Sequence, residues 1–119
     1  MENDLPIAIV IRSNPIESHR PAEALRVAIG LSGGEPEKIN IILIDSAPAL
    51  LYHDPWDLED GETFEQHLDA MLEYGMIFNV EESYVQQEGG PEETDFEVKI
   101  VSVEDVSKLI AQSSKVLVF

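Results

Sequence analysis

Apolar residues gather in five continuous runs along the chain, at 5–11, 39–44, 76–80, 96–101 and 116–119. Runs of this length that do not alternate with polar residues predict strands covered on both faces, as in a parallel sheet between helices. Helical patterns separate them. The first, over about 19–32, has Ser18 as a cap, Pro21 in the opening turn, and Ala22, Ala24, Leu25, Ala28, Ile29 and Leu31 as a broad face of small side chains, and it stops at Gly33-Gly34. A second, over 63–74, sets Phe64, Leu68, Met71 and Leu72 at helical spacing, with Thr63 and Gln66 spaced as a capping box and Gly75 as the stop. A short third covers 81–87 and closes at Gly89. The last starts at Ser102 with Asp105 three residues on, and turns Val103, Val106, Leu109 and Ile110 inward.

Strand and helix alternate, so the expected architecture is α/β: a doubly wound, mostly parallel five-stranded sheet with helices on both faces, of flavodoxin-like topology and most simply of order 2-1-3-4-5. At 119 residues the chain is near the commonest size for one domain, and 1–119 is expected to form a single one. Two segments fit no element. Residues 47–61 hold Leu50, Leu51, Tyr52 and Trp56 among several acids, which is too apolar for an ordinary solvated loop. Either they fold back on the core, or they meet another subunit; a homo-oligomer interface at Leu50, Leu51, Tyr52 and Trp56 is the expectation. Residues 88–95, acidic and containing Gly and Pro, are expected to be a surface loop.

Charge narrows the partners. With 24 acidic and 7 basic residues, the formal net charge is −17. Such a surface repels phosphate backbones and anionic membranes, so neither nucleic acid nor membrane is expected as a partner. Solubility or salt adaptation accounts for the acidity on one reading, and a basic protein partner on the other. The acidic start, Met1-Glu2-Asn3-Asp4, lacks the basic opening of a secretory signal, and no apolar run reaches the roughly 20 residues of a membrane span, so a cytoplasmic location is expected. There is no cysteine, which excludes disulfides, thiolate metal sites and thiol catalysis by this chain.

The candidate chemistry is sparse. In an open doubly wound sheet, ligands bind beyond the carboxyl ends of the strands at the switch point, here placed beside the first strand. The residues following that strand include Arg12, Ser13, Asn14, Ser18, His19 and Arg20, with a helix N-terminus opening on the same place and Asn79 and Val80 expected from the neighbouring strand end as ligand- or partner-binding residues. This loop could hold a small anion or a nucleotide-like ligand. Equally, Arg12 and Arg20 could simply pair with nearby carboxylates. No G-x-G-x-x-G or Walker-type loop follows the first strand, and 12–19 contains no glycine, which speaks against a flavin or nucleotide phosphate site. Asn79 and Val80 end the third strand where a response regulator would carry an aspartate. His53-Asp54 and His67-Asp69 match no compact metal pattern, and no Ser-His-Asp set can be assigned. No catalytic residue, metal or cofactor is therefore expected.

With these elements placed, the chain resembles the DsrE/DsrF family, which includes the sulfur-relay proteins TusB, TusC and TusD. The likeness rests on Pro21-Ala22-Glu23-Ala24-Leu25-Arg26-Val27-Ala28, on residues 41–51 from Ile41 to Leu51, on Glu81-Glu82-Ser83 through Gly89, and on the closing unit from Lys99 to Phe119. It implies a cytoplasmic protein that assembles as a trimer, hexamer or mixed complex with related subunits and hands sulfur between carriers as a persulfide. In the family the sulfur-accepting cysteine, where present, ends the third strand just before the short helix. This chain has Asn79-Val80 there, and valine cannot carry a persulfide. The resemblance therefore implies a non-catalytic member, a subunit for assembly or partner binding, with a basic sulfur-carrier protein as a candidate partner.

Overall fold

The computed structural model describes residues 5–91 and 96–119. The acidic start and residues 92–95 of the expected loop lie outside them. Five strands, β1 (Ile7–Ile11), β2 (Ile39–Leu43), β3 (Ile77–Glu81), β4 (Glu97–Val101) and β5 (Lys115–Val118), form one sheet in which every pairing is parallel. Four α-helices connect them: α1 (Arg20–Ser32), α2 (Gly61–Tyr74), α3 (Glu82–Glu88) and α4 (Val103–Ala111). The α/β class and the parallel sheet with helices are as expected, but β4 and β5 are not covered on both faces: Ile100, Val116 and Val118 are exposed.

The strand order is not. It runs β4-β3-β2-β1-β5, so β1 lies between β2 and β5 rather than between β2 and β3. Both orders satisfy right-handed crossovers, and the choice between them is made by charge. Both orders leave β5 at one edge and differ in whether β2 or β4 takes the other; β4 carries Glu97 and Lys99, charges that suit an edge where one side meets water. β2, Ile-Asn-Ile-Ile-Leu, is buried at four of its five positions and belongs inside.

This order sorts the helices. The crossovers from β1 to β4 all step in one direction, which places α1, α2 and α3 on one face; the return to β5 steps back and places α4 on the other. The larger core lies under the three helices, where Leu25 and Ala28 of α1, and Phe64 and Met71 of α2, meet Ile9, Ile11, Ile41, Leu43 and Phe78, with Val85 of α3 packed alongside. Val106, Leu109 and Ile110 of α4 cover Ala8, Val10 and Ile42 on the opposite face. Three apolar positions assigned inward turn out exposed: Leu31, Leu72 and Val103, the last at 58%. Each lies at the flank of an apolar stripe or in the end turn of its helix, beyond reach of the sheet.

Local start signals had mixed outcomes. Ser102 and Asp105 form the expected capping box of α4, with the Asp105 N–H donating to Ser102 Oγ at 3.1 Å. The Thr63–Gln66 box does not form, because α2 begins earlier, at Gly61, after Asp60 in a left-handed conformation. A Cβ at Gly61 would lie 2.2 Å from the Pro55 carbonyl oxygen, so a short 3-10 turn, Pro55–Asp57, presses directly on the first residue of α2. At α1 the cap position falls to His19; Ser18 Oγ instead accepts the Arg20 N–H just outside the helix. Among the described residues no helix is long and apolar enough to cross a membrane.

Candidate functional site

The loop after β1 is held by its own backbone and side chains. The N–H groups of Arg12 and Ser13 donate to the Phe119 carbonyl beyond β5, and Asn14 Oδ1 accepts the Ile16 N–H in a tight Asx turn. The Glu59 N–H then ties the loop to the segment before α2 through the Pro15 carbonyl. Arg12, Ser13, Asn14, Ser18, His19 and Arg20 thus share one rim of the sheet.

The two guanidinium groups on that rim are engaged. Arg12 Nε lies 3.2 Å from Asp45 Oδ2, on the neighbouring strand end, and Asp45 holds a left-handed backbone with φ 54°. Arg20 donates to the Val118 carbonyl at 3.3 Å, and its guanidinium carbon lies 5.9 Å from the centre of the Phe119 ring. Both contacts are solvent-exposed, where pairs of this kind are weak and open to exchange.

Asn79 and Val80 lie elsewhere. They belong to β3, and β2 stands between β3 and β1. The Asn79 side-chain amide is buried and donates from Nδ2 to the Ile41 carbonyl at 3.0 Å, while Val80 is 1% exposed and part of the core. The expected grouping of Asn79 with the β1 loop depended on β1 and β3 being neighbours. With the observed order the loops of adjacent strands diverge between β3 and β4, so the switch-point crevice moves there. It is flanked by Glu81, Glu82 and Asp105, and Glu81 already accepts the N–H and hydroxyl of Ser83.

Most apolar residues of the segment 47–61 fold back on the chain's own core, Leu50 among them, which removes it from the expected interface. Ala47, Leu50 and Leu58 enter the main core. Leu51 and Tyr52 are half-buried; the Tyr52 ring meets Tyr84 edge-on at 5.0 Å, and its hydroxyl donates to the Gly89 carbonyl. Burial raises the pKa of both tyrosines above the ordinary phenol value, with the nearby Glu88 charge adding to it, so both are neutral phenols at physiological pH. Only Trp56 projects fully, at 75% exposure.

Beside that segment lies a cleft of about 830 Å³ that strand and helix patterns did not reveal. One wall is α2, which contributes Glu65, Leu68, Asp69 and Leu72. The other is the segment from Leu50 to Asp57 with the end of α3 and Phe96. The four α2 residues are spaced i, i+3, i+4 and i+7, the spacing of one helix stripe, and that was the available signal. His53 and Asp54, considered as metal ligands, line this cleft, whereas His67 does not. Among the described residues no three His, Cys, Asp or Glu side chains are grouped to hold a metal ion.

These features define a parallel-sheet α/β protein with a loop after β1 held by its own contacts and a cleft beside α2. No protein-family model matches the chain, and no curated protein matches it. Among solved structures, the crystal structure of the ychN protein from E. coli shares the fold, with a TM-score of 0.76 over 97% of this chain and 99% of that one, at 20% sequence identity.

Proposed function

We propose that this chain is a non-catalytic DsrE/DsrF-like subunit that acts in assembly or partner binding, within a sulfur-relay complex. The observation that carries the reading is the absence of a thiol in a chain of this fold: the sequence contains no cysteine, and Val80, matched to the family's sulfur-accepting position, is packed in the core. Persulfide chemistry needs an accessible thiolate, and this chain supplies neither the sulfur atom nor the opening. This reading gives the chain a role through contact with other subunits, in a trimer, hexamer or mixed assembly in the cytoplasm. An anion at the β1 loop would have to displace Asp45 from Arg12 and meet the field of a chain bearing −17, and no observation favours that alternative.

The test joins two mass measurements on protein purified from its own cells. Incubation with an isotopically labelled persulfide donor should leave the mass of the denatured chain unchanged, and native mass spectrometry should show it in an oligomer or mixed complex. Covalent sulfur on the chain, or a monomer that retains no partner, overturns the reading.

A further inference from the structure

The cleft beside α2 combines three properties that one kind of ligand satisfies. Its volume is within the range of pockets that enclose several side chains of a ligand. Its apolar part comes from Leu51, Leu68, Leu72 and Phe96, of which Leu72 is 42% exposed. Around these stand Asp54, Asp57, Glu65, Asp69 and Glu88, and none of the described residues lining the cleft is Lys or Arg. Beside it projects Trp56, between Pro55 and Asp57 of the same wall, its indole open to stack on a cation.

We propose that this cleft docks a basic amphipathic segment of a partner protein, with Lys or Arg side chains meeting the carboxylates and Trp56 and apolar side chains entering between α2 and the 50–57 segment. The proposal deepens the partner-binding reading by naming its surface and the partner's chemistry. Charge complementarity selects this occupant over a second copy of the chain. Each copy carries 24 acidic residues to 7 basic ones, and four of those seven already serve its own contacts: Arg12, Arg26 and Lys38 with carboxylates, and Arg20 at the Val118 carbonyl. A second copy would bring further negative charge to a cleft ringed by it. A small polyamine would satisfy the carboxylates but leave the apolar side chains wet.

The sole tryptophan, Trp56, gives the readout. The intact protein is titrated with a short Lys/Leu amphipathic peptide, a Lys/Ser peptide of equal charge, a Glu/Leu peptide and spermine, by indole fluorescence and calorimetry. The Lys/Leu peptide should saturate one site per chain and bind about tenfold or more tightly than Lys/Ser or spermine, with no binding of Glu/Leu. Replacing Asp54→Asn, Asp57→Asn, Glu65→Gln and Asp69→Asn together should weaken it about tenfold. The same number of charges removed elsewhere, by Glu17→Gln, Glu37→Gln, Glu97→Gln and Glu104→Gln, should weaken it less than about threefold. Leu72→Ser, at an exposed position, should weaken Lys/Leu binding and leave Lys/Ser unchanged. Circular dichroism verifies that each variant is folded. Equal losses in the two charge-removed variants, or equal affinity for spermine and Lys/Leu, overturn the proposal, as does an unchanged affinity in Leu72→Ser. If native mass spectrometry shows a partner held equally by wild type and the cleft variant, the cleft assignment falls and the subunit reading stands. Covalent sulfur on the chain overturns the subunit reading without touching the cleft.

Discussion

Replacing Gly61 by alanine sets two opposing effects against each other. Gly61 opens α2 without a positive φ, so alanine can adopt its backbone conformation, and the narrower unfolded ensemble would favour alanine by about 0.4–1 kcal/mol. Against this, the new Cβ would lie 2.2 Å from the Pro55 carbonyl oxygen, 3.0 Å from its carbon and 3.3 Å from Trp56 Cα. All three are backbone atoms, so no side chain can swing away, and the Pro55–Asp57 turn must shift by about 1 Å. Forced repacking of that kind costs about 1–3 kcal/mol. The displaced carbonyl also accepts the Leu58 N–H at 3.0 Å, and Leu58 is a core residue, so the shift reaches the interior. The clash wins, and Gly61→Ala should be destabilised by about 1–2 kcal/mol, lowering Tm by about 5–10 °C. Urea unfolding followed by Trp56 fluorescence and by far-UV circular dichroism measures it, with Gly30→Ala as control. Gly30 lies exposed in α1, a methyl group added to it would meet nothing within 4 Å, and alanine there should stabilise by about 0.5–1 kcal/mol. If Gly61→Ala is as stable as the wild type, the close approach of turn and helix is refuted.

Three other substitutions test separate contacts. Ser102→Ala removes the cap from α4 and should cost about 1 kcal/mol by urea unfolding, while Ser102→Asp, which keeps an acceptor, should restore most of it. Burial, followed by the charge of Arg26, lowers the His67 pKa below its ordinary 6.5, so the unfolded chain binds more protons there than the folded one; wild-type stability should therefore fall, relative to His67→Gln, as pH drops through and below 6.5, and parallel pH profiles would contradict this. Arg12→Gln breaks an exposed pair with Asp45 and should change stability by less than about 1 kcal/mol; a larger loss would make that pair a structural clamp.

The periodic features of the chain were legible in its sequence because each is set by neighbours a few residues apart. The five strands fall within the five apolar runs, within a residue or two at each end, and Gly33 and Gly75 end their helices in left-handed conformations as their positions predict. What could not be read locally was long-range. Whether β3 or β5 is the second neighbour of β1 goes with whether β2 or β4 takes the wet edge opposite β5, and Glu97 and Lys99 of β4 carried that information. The start of α2 was misplaced because Gly61 is selected by the Pro55 carbonyl above it and not by a cap within the helix. The cleft was missed because its two walls, α2 and residues 50–57, become neighbours only after both dock on the sheet.

Strand order also bears on electrostatics, and through it on what the molecule can bind. In an order with β1 and β3 adjacent, the switch point would open beside Arg12, Arg20 and His19, a local concentration of positive charge suited to an anion. With β5 beside β1, the switch point opens between β3 and β4, flanked by Glu81, Glu82 and Asp105, where an anion is repelled. The arginines, at the rim left behind, are occupied by Asp45 and by the carbonyl of Val118. Both strand-end locations thus lose the features that would attract an anion. The cavity beside α2 is ringed by carboxylates as well, so it shares its sign of potential with the switch point between β3 and β4. Ligands that approach them are selected for positive charge, and the apolar side chains of the cleft select among those for a partner that carries hydrophobic groups beside its cations.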